Sequence, residues 1–247
     1  MELSFVIPAY NEEKVLAKCL ASVVEQVREI GDRKIEIIVV NNASTDRTKE
    51  IAASFPEVLV VDESRKGLVR ARRAGFEASK GALIANIDAD TVLTPGWLKK
   101  VFEEFSGDEG LVALSGPFIY YDLRPAHRAM VRVFYGFGYL SHLFNQFVLK
   151  KGSMLQGGNF ILRRFALERI GGYDTENFEF YGEDTDLARR LPAVGTVKYT
   201  FSLPMYASGR RLAEEGIIRM GLKYGINYFW TIVFKKPFTK KYKDVGR

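Results

Sequence analysis

Apolar residues along this chain fall into short continuous runs that alternate with longer periodic stretches. Residues 3–8 (LSFVIP), 35–40 (IEIIVV), 58–61 and 82–87 are short, β-prone and apolar, the pattern of strands buried on both faces. Between them, residues 12–28 repeat apolar positions at helical spacing through Val15, Leu16, Leu20, Val23, Val24 and Val27. Residues 47–54 and 66–79 predict two further helices. This rhythm predicts an α/β fold with a parallel, doubly wound sheet. Ligands of such sheets bind beyond the carboxyl ends of the strands. Three of those ends carry polar side chains, at residues 8–12, 41–46 and 88–90, and their convergence predicts a crevice for a nucleotide-type ligand.

The fourth run ends in Asp88-Ala89-Asp90. Two carboxylates at a strand end can hold a divalent cation against a diphosphate. They can equally form a polar turn in which Asp90 or Thr91 caps the next element. Neither G-x-G-x-x-G after the first strand nor G-x-x-x-x-G-K-[ST] occurs, which removes the main support for dinucleotide and P-loop readings.

Past Pro95, which suits a helix start, the rhythm changes. Residues 111–115 predict a strand, and 126–150 a long aromatic helix. Its uncharged part, 133–149, contains Ser141, His142, Asn145 and Gln146, so the expectation is an amphipathic helix and not a span. It either lies on a membrane, covers an acceptor site or packs in the core. Residues 154–163 carry Gly157-Gly158, which allow close backbone approach or a tight turn, and then turn β-like. A short helix at 166–170 is closed by two glycines. Glu183, Asp184 and Asp186 crowd the start of another helix, where the dipole stabilises them. A carboxylate there that faces the crevice can also act as a general base. The last helix is expected from about residue 212 to 233.

Composition adds little until charge is located. The chain has 247 residues, 47% apolar and 27% charged, enough for one large α/β domain. Of the net charge of +6, +5 sits in residues 235–247. That distribution argues against a nucleic-acid-binding face. It suits either a local anionic contact such as lipid headgroups or a solvated tail. The single cysteine, Cys19, excludes an internal disulfide, fits a reducing compartment and sits at helical spacing as a buried thiol. No leader precedes the first strand, so the expected location is cytoplasmic, peripheral on the inner face of the cell membrane. His127 and His142 lack metal-ligand spacing and read as packing or surface residues.

Seven segments then carry a resemblance: FVIPAYNEE (5–13), VVNNASTDRT (39–48), GLVRARRAG (67–75), NIDADT (86–91), QGGNFILRR (156–164), IGGYD (170–174) and GEDTDLARR (182–190). In this order and spacing the chain resembles a family 2 glycosyltransferase, inverting and of the GT-A fold. The resemblance implies a Rossmann-like, mostly parallel sheet flanked by helices, with a C-terminal helical appendage. It implies a domain over 1–209, with a nucleotide-sugar half (about 1–117) and an acceptor half (about 118–209), followed by an amphipathic helix and basic tail over 210–247. Pro8, Tyr10 and Glu12 match residues that hold the nucleobase and ribose. Asn41 and Asn42 match a pair that is often Asp-Asp, the first contacting the base, and Arg72 matches a basic residue facing the nucleotide. Asp88 and Asp90 match the metal-binding motif for Mg²⁺ or Mn²⁺, with Asp90 the closer ligand. Asp184 matches the catalytic base, with Glu183 beside it. Arg210 or Arg211 is assigned to a clamp on the diphosphate. Two positions depart from the pattern: Asn41 replaces Asp, and Arg73 stands where Asn is common.

The activity so implied is metal-dependent, inverting transfer of a sugar from a nucleoside-diphosphate sugar, a UDP-sugar first, to an acceptor hydroxyl or phosphate. A glycan or lipid-linked acceptor is expected, and no nucleic acid. The aromatic helix and the basic tail leave an anionic membrane surface and a homodimer contact open as partners. The rival readings are a sugar-nucleotide hydrolase or nucleotidyltransferase, and an inactive sugar-nucleotide-binding subunit.

Overall fold

The computed structural model describes residues 1–144 and 154–239. The strands are β1 (Leu3–Ala9), β2 (Ile35–Asn41), β3 (Val58–Asp62), β4 (Leu83–Ile87), β5 (Thr91–Leu93), β6 (Leu111–Ser115), β7 (Phe118–Tyr120), β8 (Asn159–Arg163), β9 (Thr196–Tyr199) and β10 (Met205–Ala207). The helices are α1 (Leu16–Glu29), α2 (Thr48–Ala53), α3 (Leu68–Ala78), α4 (Trp97–Gly107), α5 (Pro125–Phe144), α6 (Arg164–Arg169), α7 (Glu183–Arg190), α8 (Arg210–Glu215) and α9 (Ile217–Phe234). Every run expected as a strand in the first 115 residues is one.

Seven strands form the main sheet in the order β3-β2-β1-β4-β8-β6-β9. Beside the central β4, β1 is buried at all seven residues and pairs in parallel with β2 and β4, so it lacks the polar alternation of a one-sided strand. Successive side chains of β8 enter opposite cores. Ile161 joins the cluster under α1 and α4, which contains Phe5, Leu20 and Trp97. Phe160 and Leu162 join the cluster with Leu167, Phe178 and Leu187.

The sheet is mostly parallel, as the resemblance implies. The exception to the parallel rhythm is β8, which runs antiparallel to both β4 and β6. Hydrophobic pattern carries no strand direction, which is why periodicity did not reveal it. The reversal has a consequence for the site. It sets Asn159, the first residue of β8, opposite Ile87, the last of β4. The Gly157-Gly158 turn therefore arrives beside Asp88.

A second sheet, β5-β10-β7, has strands of three residues, too short to register as pattern. Antiparallel pairing of Ala207 with Thr91 brings residues 208–210 back to Asp90. The helix expected over 212–233 divides at Gly216, whose φ of +86° belongs to the left-handed region that glycine tolerates. The rest of the aromatic segment beyond Phe144, and residues 240–247 of the basic tail, lie outside the described residues. No helix among the described residues is long and apolar enough to cross a membrane.

Asn159 ties the two sheets together. Its buried amide donates to the carbonyls of Gly116 and Leu203, each at 3.0 Å, and accepts from Trp97 Nε1 at 3.2 Å. Asn159→Ala leaves all three partners unpaired, at about 1–3 kcal/mol each. Urea unfolding is expected to show a loss of about 3 kcal/mol or more; an unchanged midpoint would contradict this role.

Candidate active site

The ends of β1 and β2 are laced to each other. Glu12 N–H donates to Thr48 Oγ1 at 2.7 Å, Glu13 N–H to Asp46 Oδ2 at 3.1 Å, and Thr45 N–H to Asn11 Oδ1 at 2.8 Å. Asn11 and Ala43 have φ of +52° and +58°, left-handed conformations that non-glycine residues adopt only when the surroundings impose them. The lacing fixes one wall of a cleft lined by Asn11, Glu12, Glu13, Lys14, Asp46 and Arg210.

Asp88 and Asp90 follow β4 in a turn closed by Thr91 N–H to the Asp88 carbonyl (3.1 Å). Thr91 Oγ1 donates to that same carbonyl at 2.7 Å, and β5 comes next, so neither residue caps a helix. Asp88 Oδ1 accepts from Arg72 Nη2 at 3.0 Å, and Asp90 Oδ2 from Arg210 Nη2 at 3.1 Å. The same Arg210 nitrogen lies 2.8 and 2.7 Å from the two oxygens of Glu12. Arg210 reaches them because Asp122 holds the preceding turn through Ser208 Oγ at 2.6 Å and Gly209 N–H at 2.5 Å.

On the other side, α7 presents Glu183 and Asp184. Asp184 Oδ2 accepts from Gly157 N–H at 3.1 Å, and its Oδ1 from Thr185 N–H at 2.7 Å. Glu183 Oε1 lies 3.4 Å from Arg72 Nε. Arg72 is fully buried, and its Nε and Nη1 make no hydrogen bond within the chain. It thus joins Asp88 to Glu183. Asp186 is structural: it pairs with Arg189 at 2.7 Å and Arg190 at 2.6 Å, and Arg190 also donates to the carbonyls of Ile170 and Gly172.

Adjacent glycines lock the two carboxylate sets together. A Cβ on Gly157 would stand 3.1 Å from Asp184 Oδ2, and one on Gly158 would collide with Asp88 Oδ2 at 2.1 Å. Gly158 also has φ of +80°. Sequence reasoning saw these glycines and left their role open; a register for β8 would have supplied it.

The electrostatics follow from this crowding. Burial, with Asp88 and Glu12 close by, pushes the Asp90 carboxyl up to about 7 against the pull of Arg210 and Arg211. Burial and the neighbouring Asp184 raise Glu183, and burial raises Asp184 despite its backbone donors and Arg72. Burial lifts the Cys19 thiol to about 12, as suits an inert core thiol.

At the ends of β1 and β2, Pro8 is buried in β1, the Tyr10 ring lies 3.8 Å from Lys66 Nζ, and two asparagines follow. Asn42 donates to the carbonyls of Glu63 and Arg65 and accepts from Gly67 N–H at 2.8 Å. Asn41 Nδ2 donates to Asp62 Oδ1 at 2.8 Å, leaving Asn41 Oδ1 a buried acceptor without a partner. Sequence reasoning missed Asp62, although it ends β3 as Asn41 ends β2, in register with it. Arg73, the other departure, is exposed and paired with Glu77.

The family model described as glycosyl transferase family 2 matches residues 4–171, more than half of the chain. The chain belongs to glycosyl transferase family 2. Among relatives, glycosyltransferase AglE of Haloferax volcanii is 39% identical over 111 residues, which is 42% of this chain and 36% of that protein. The probable glycosyltransferase YdaM of Bacillus subtilis is 28% identical over 209 residues, 78% of this chain and 47% of that one. The chain thus spans between about a third and a half of the length of these two relatives. Among solved structures, the mannosyltransferase PcManGT from Pyrobaculum calidifontis, in complex with GDP-Man and Mn²⁺, superposes with a TM-score of 0.68 at 18% identity. That likeness covers 94% of this chain and 64% of the other. S. aureus TarS 1–349 in complex with UDP-GlcNAc gives a TM-score of 0.62 at 17% identity, covering 84% of this chain and 58% of that one. At such identities the likeness establishes the fold, GT-A.

The raised Asp90 carboxyl has a testable sign. The folded family 2 domain holds this proton more tightly than the unfolded chain, so its contribution to stability falls as pH rises from about 4 to 7. In metal-free buffer, Asp90→Asn is expected to gain stability relative to wild type between about pH 5 and 8. Parallel denaturation curves check it; a pH-independent difference would contradict the environment assigned to Asp90.

Proposed function

We propose that this chain transfers a sugar from a nucleoside-diphosphate sugar to an acceptor hydroxyl or phosphate, with inversion at the anomeric carbon. One observation supports this above the others: the adjacent Gly157 and Gly158 lie against Asp184, on the side of an acceptor site, and Asp88, on the side of a donor site. The donor half is then about residues 1–117 and the acceptor half about 118–209. The segment 210–247 contributes to the donor site through Arg210.

A divalent cation fits the donor side. Its ligands there are the hard carboxylate oxygens of Asp90 and Asp88, a set suited to Mg²⁺ or Mn²⁺ when substrate phosphates supply the rest. No group of three or more ligating residues is assembled among the described residues, and the Arg210 guanidinium already rests on Asp90. When bound, the cation neutralises charge developing on the leaving diphosphate. Arg210, and Arg211 beside it, add donors to the same oxygens. The buried Asn41 Oδ1 suits a base with a ring N–H donor on its pairing edge, as uracil or guanine has, which favours a UDP-sugar or its GDP counterpart.

Asp184 takes the proton from the acceptor hydroxyl as that oxygen attacks from the face opposite the leaving group. Gly157 N–H on Oδ2, with Thr185 N–H and Oγ1 on Oδ1, holds the carboxylate and leaves a lone pair of Oδ2 for this work. Glu183 is turned to Arg72 and keeps that arginine, and through it Asp88, in place. An acid near its working pH is the more effective base, and burial moves Asp184 in that direction. A single displacement inverts the sugar.

Asp184→Asn is expected to lower turnover about a hundredfold or more while leaving donor binding nearly unchanged. Transfer rates, with anomeric configuration of the product read by NMR, and donor affinity measured separately decide this. Loss of donor affinity in step with rate would make Asp184 a binding residue. Full-rate release of sugar without acceptor would replace the transferase by a hydrolase.

A further inference from the structure

Helix α9 turns most of its large apolar side chains outward. Ile217 and Met220 are buried at its start and Asn227 and Thr231 further along, whereas Ile218, Leu222, Ile226, Phe229 and Val233 are exposed, by 48% to 66% of their surface. Those five follow one another at four, four, three and four residues, a single helical stripe turned outward. The inward polar pair has a purpose. A Cβ on Gly182, the residue before Glu183, would stand 3.1 Å from Asn227 Nδ2 and 3.2 Å from Thr231 Oγ1. Thus α9 backs the helix that carries Asp184.

A second stripe adjoins it. On α5, Met130, Val133, Phe137 and Leu140 are exposed, and Phe134 lies against Gly221 of α9, where a Cβ would come within 3.1 Å of its ring. Contiguous apolar surface on this scale marks an interaction site.

Charge identifies what covers it. No Asp or Glu occurs from residue 123 to 167 or from 216 to 243, the two stretches that contain these helices. Arg124, Arg132, Arg219, Lys235 and Lys236 are exposed along them, and Lys240, Lys241 and Lys243 follow in the sequence. A two-fold dimer would set this all-positive face against itself. Apolar side chains on two helices that carry cations and no acid of their own, with Tyr228 and Trp230 on α9, match an anionic bilayer surface.

We propose that the joined outer faces of α5 and α9 dock on an anionic lipid bilayer, without spanning it. The docked face then lies directly behind α7, so an acceptor held in the membrane meets Asp184 at short range. That last consequence rests on the proposed transferase; the docking itself does not.

Co-sedimentation of the whole chain with vesicles tests it. Vesicles of mixed phosphatidylglycerol and phosphatidylcholine are expected to carry the protein down at low salt, and phosphatidylcholine alone to leave it in the supernatant. High salt should weaken binding. The double variant Leu222→Gln/Phe229→Gln removes two side chains each 61% exposed and should bind about tenfold more weakly, with its thermal melt unchanged. Failure to sediment with anionic vesicles, or equal binding by the variant, overturns the proposal. So does a wild-type dimer in solution that the variant dissolves, which would assign the face to a second copy. None of these outcomes bears on Asp184→Asn turnover, so the two readings fail separately.

Discussion

Five carboxylates, from Glu12, Asp88, Asp90, Glu183 and Asp184, share one end of the sheet with two well-placed arginines, and everything else in the site depends on that balance. Burial raises the affinity of these acids for protons, and like charges this close add to the effect. Arg72 offsets it from below, through Asp88 and Glu183, and Arg210 from above, through Glu12 and Asp90. An excess of negative charge remains. A cation and a diphosphate arriving together suit such a site, because the cation relieves the acids while Arg210 turns to phosphate. A buried acid cluster is costly for stability alone, and that cost marks the cluster as a place where function overrides it.

The fold supplies the balance by topology. Glu12 and Arg210 are 198 residues apart and meet only because β10 pairs with β5. Asp184 meets the Asp88 side only because β8 is reversed between β4 and β6. Both devices use short or direction-ambiguous strands, and both end at glycines or small residues that allow backbone to approach carboxylate.

That is also where legibility in the sequence stopped. Buried parallel strands such as 35–40 write themselves as unbroken apolar runs, so the sheet's first half and the polar strand ends could be read directly. Asp88, Asp90, Glu183 and Asp184 were visible as acids at element ends. Their convergence was not, because β8 carries no mark of direction and the three-residue strands carry no period. The role of Asp186 was legible only as a helix-start acid, and the structure gives it to Arg189 and Arg190. The replacement of Asp by Asn at position 41 left the base open; Asp62, unseen as a partner, takes the amide N–H and leaves the amide oxygen buried without a partner. On α9, apolar residues announce a helix but surround most of it, so the inward face is not marked; the buried side mixes Ile217 and Met220 with Asn227 and Thr231.

The central claim is that the acid cluster receives a nucleoside diphosphate and a divalent cation as a unit. Calorimetric titration of the wild-type chain with UDP and with GDP, each with and without Mn²⁺, measures it most directly. The account predicts that at least one of the two binds with Mn²⁺ present and that its affinity falls about tenfold or more when the metal is chelated. Equal affinity with and without metal, or no binding of either nucleotide, would contradict it.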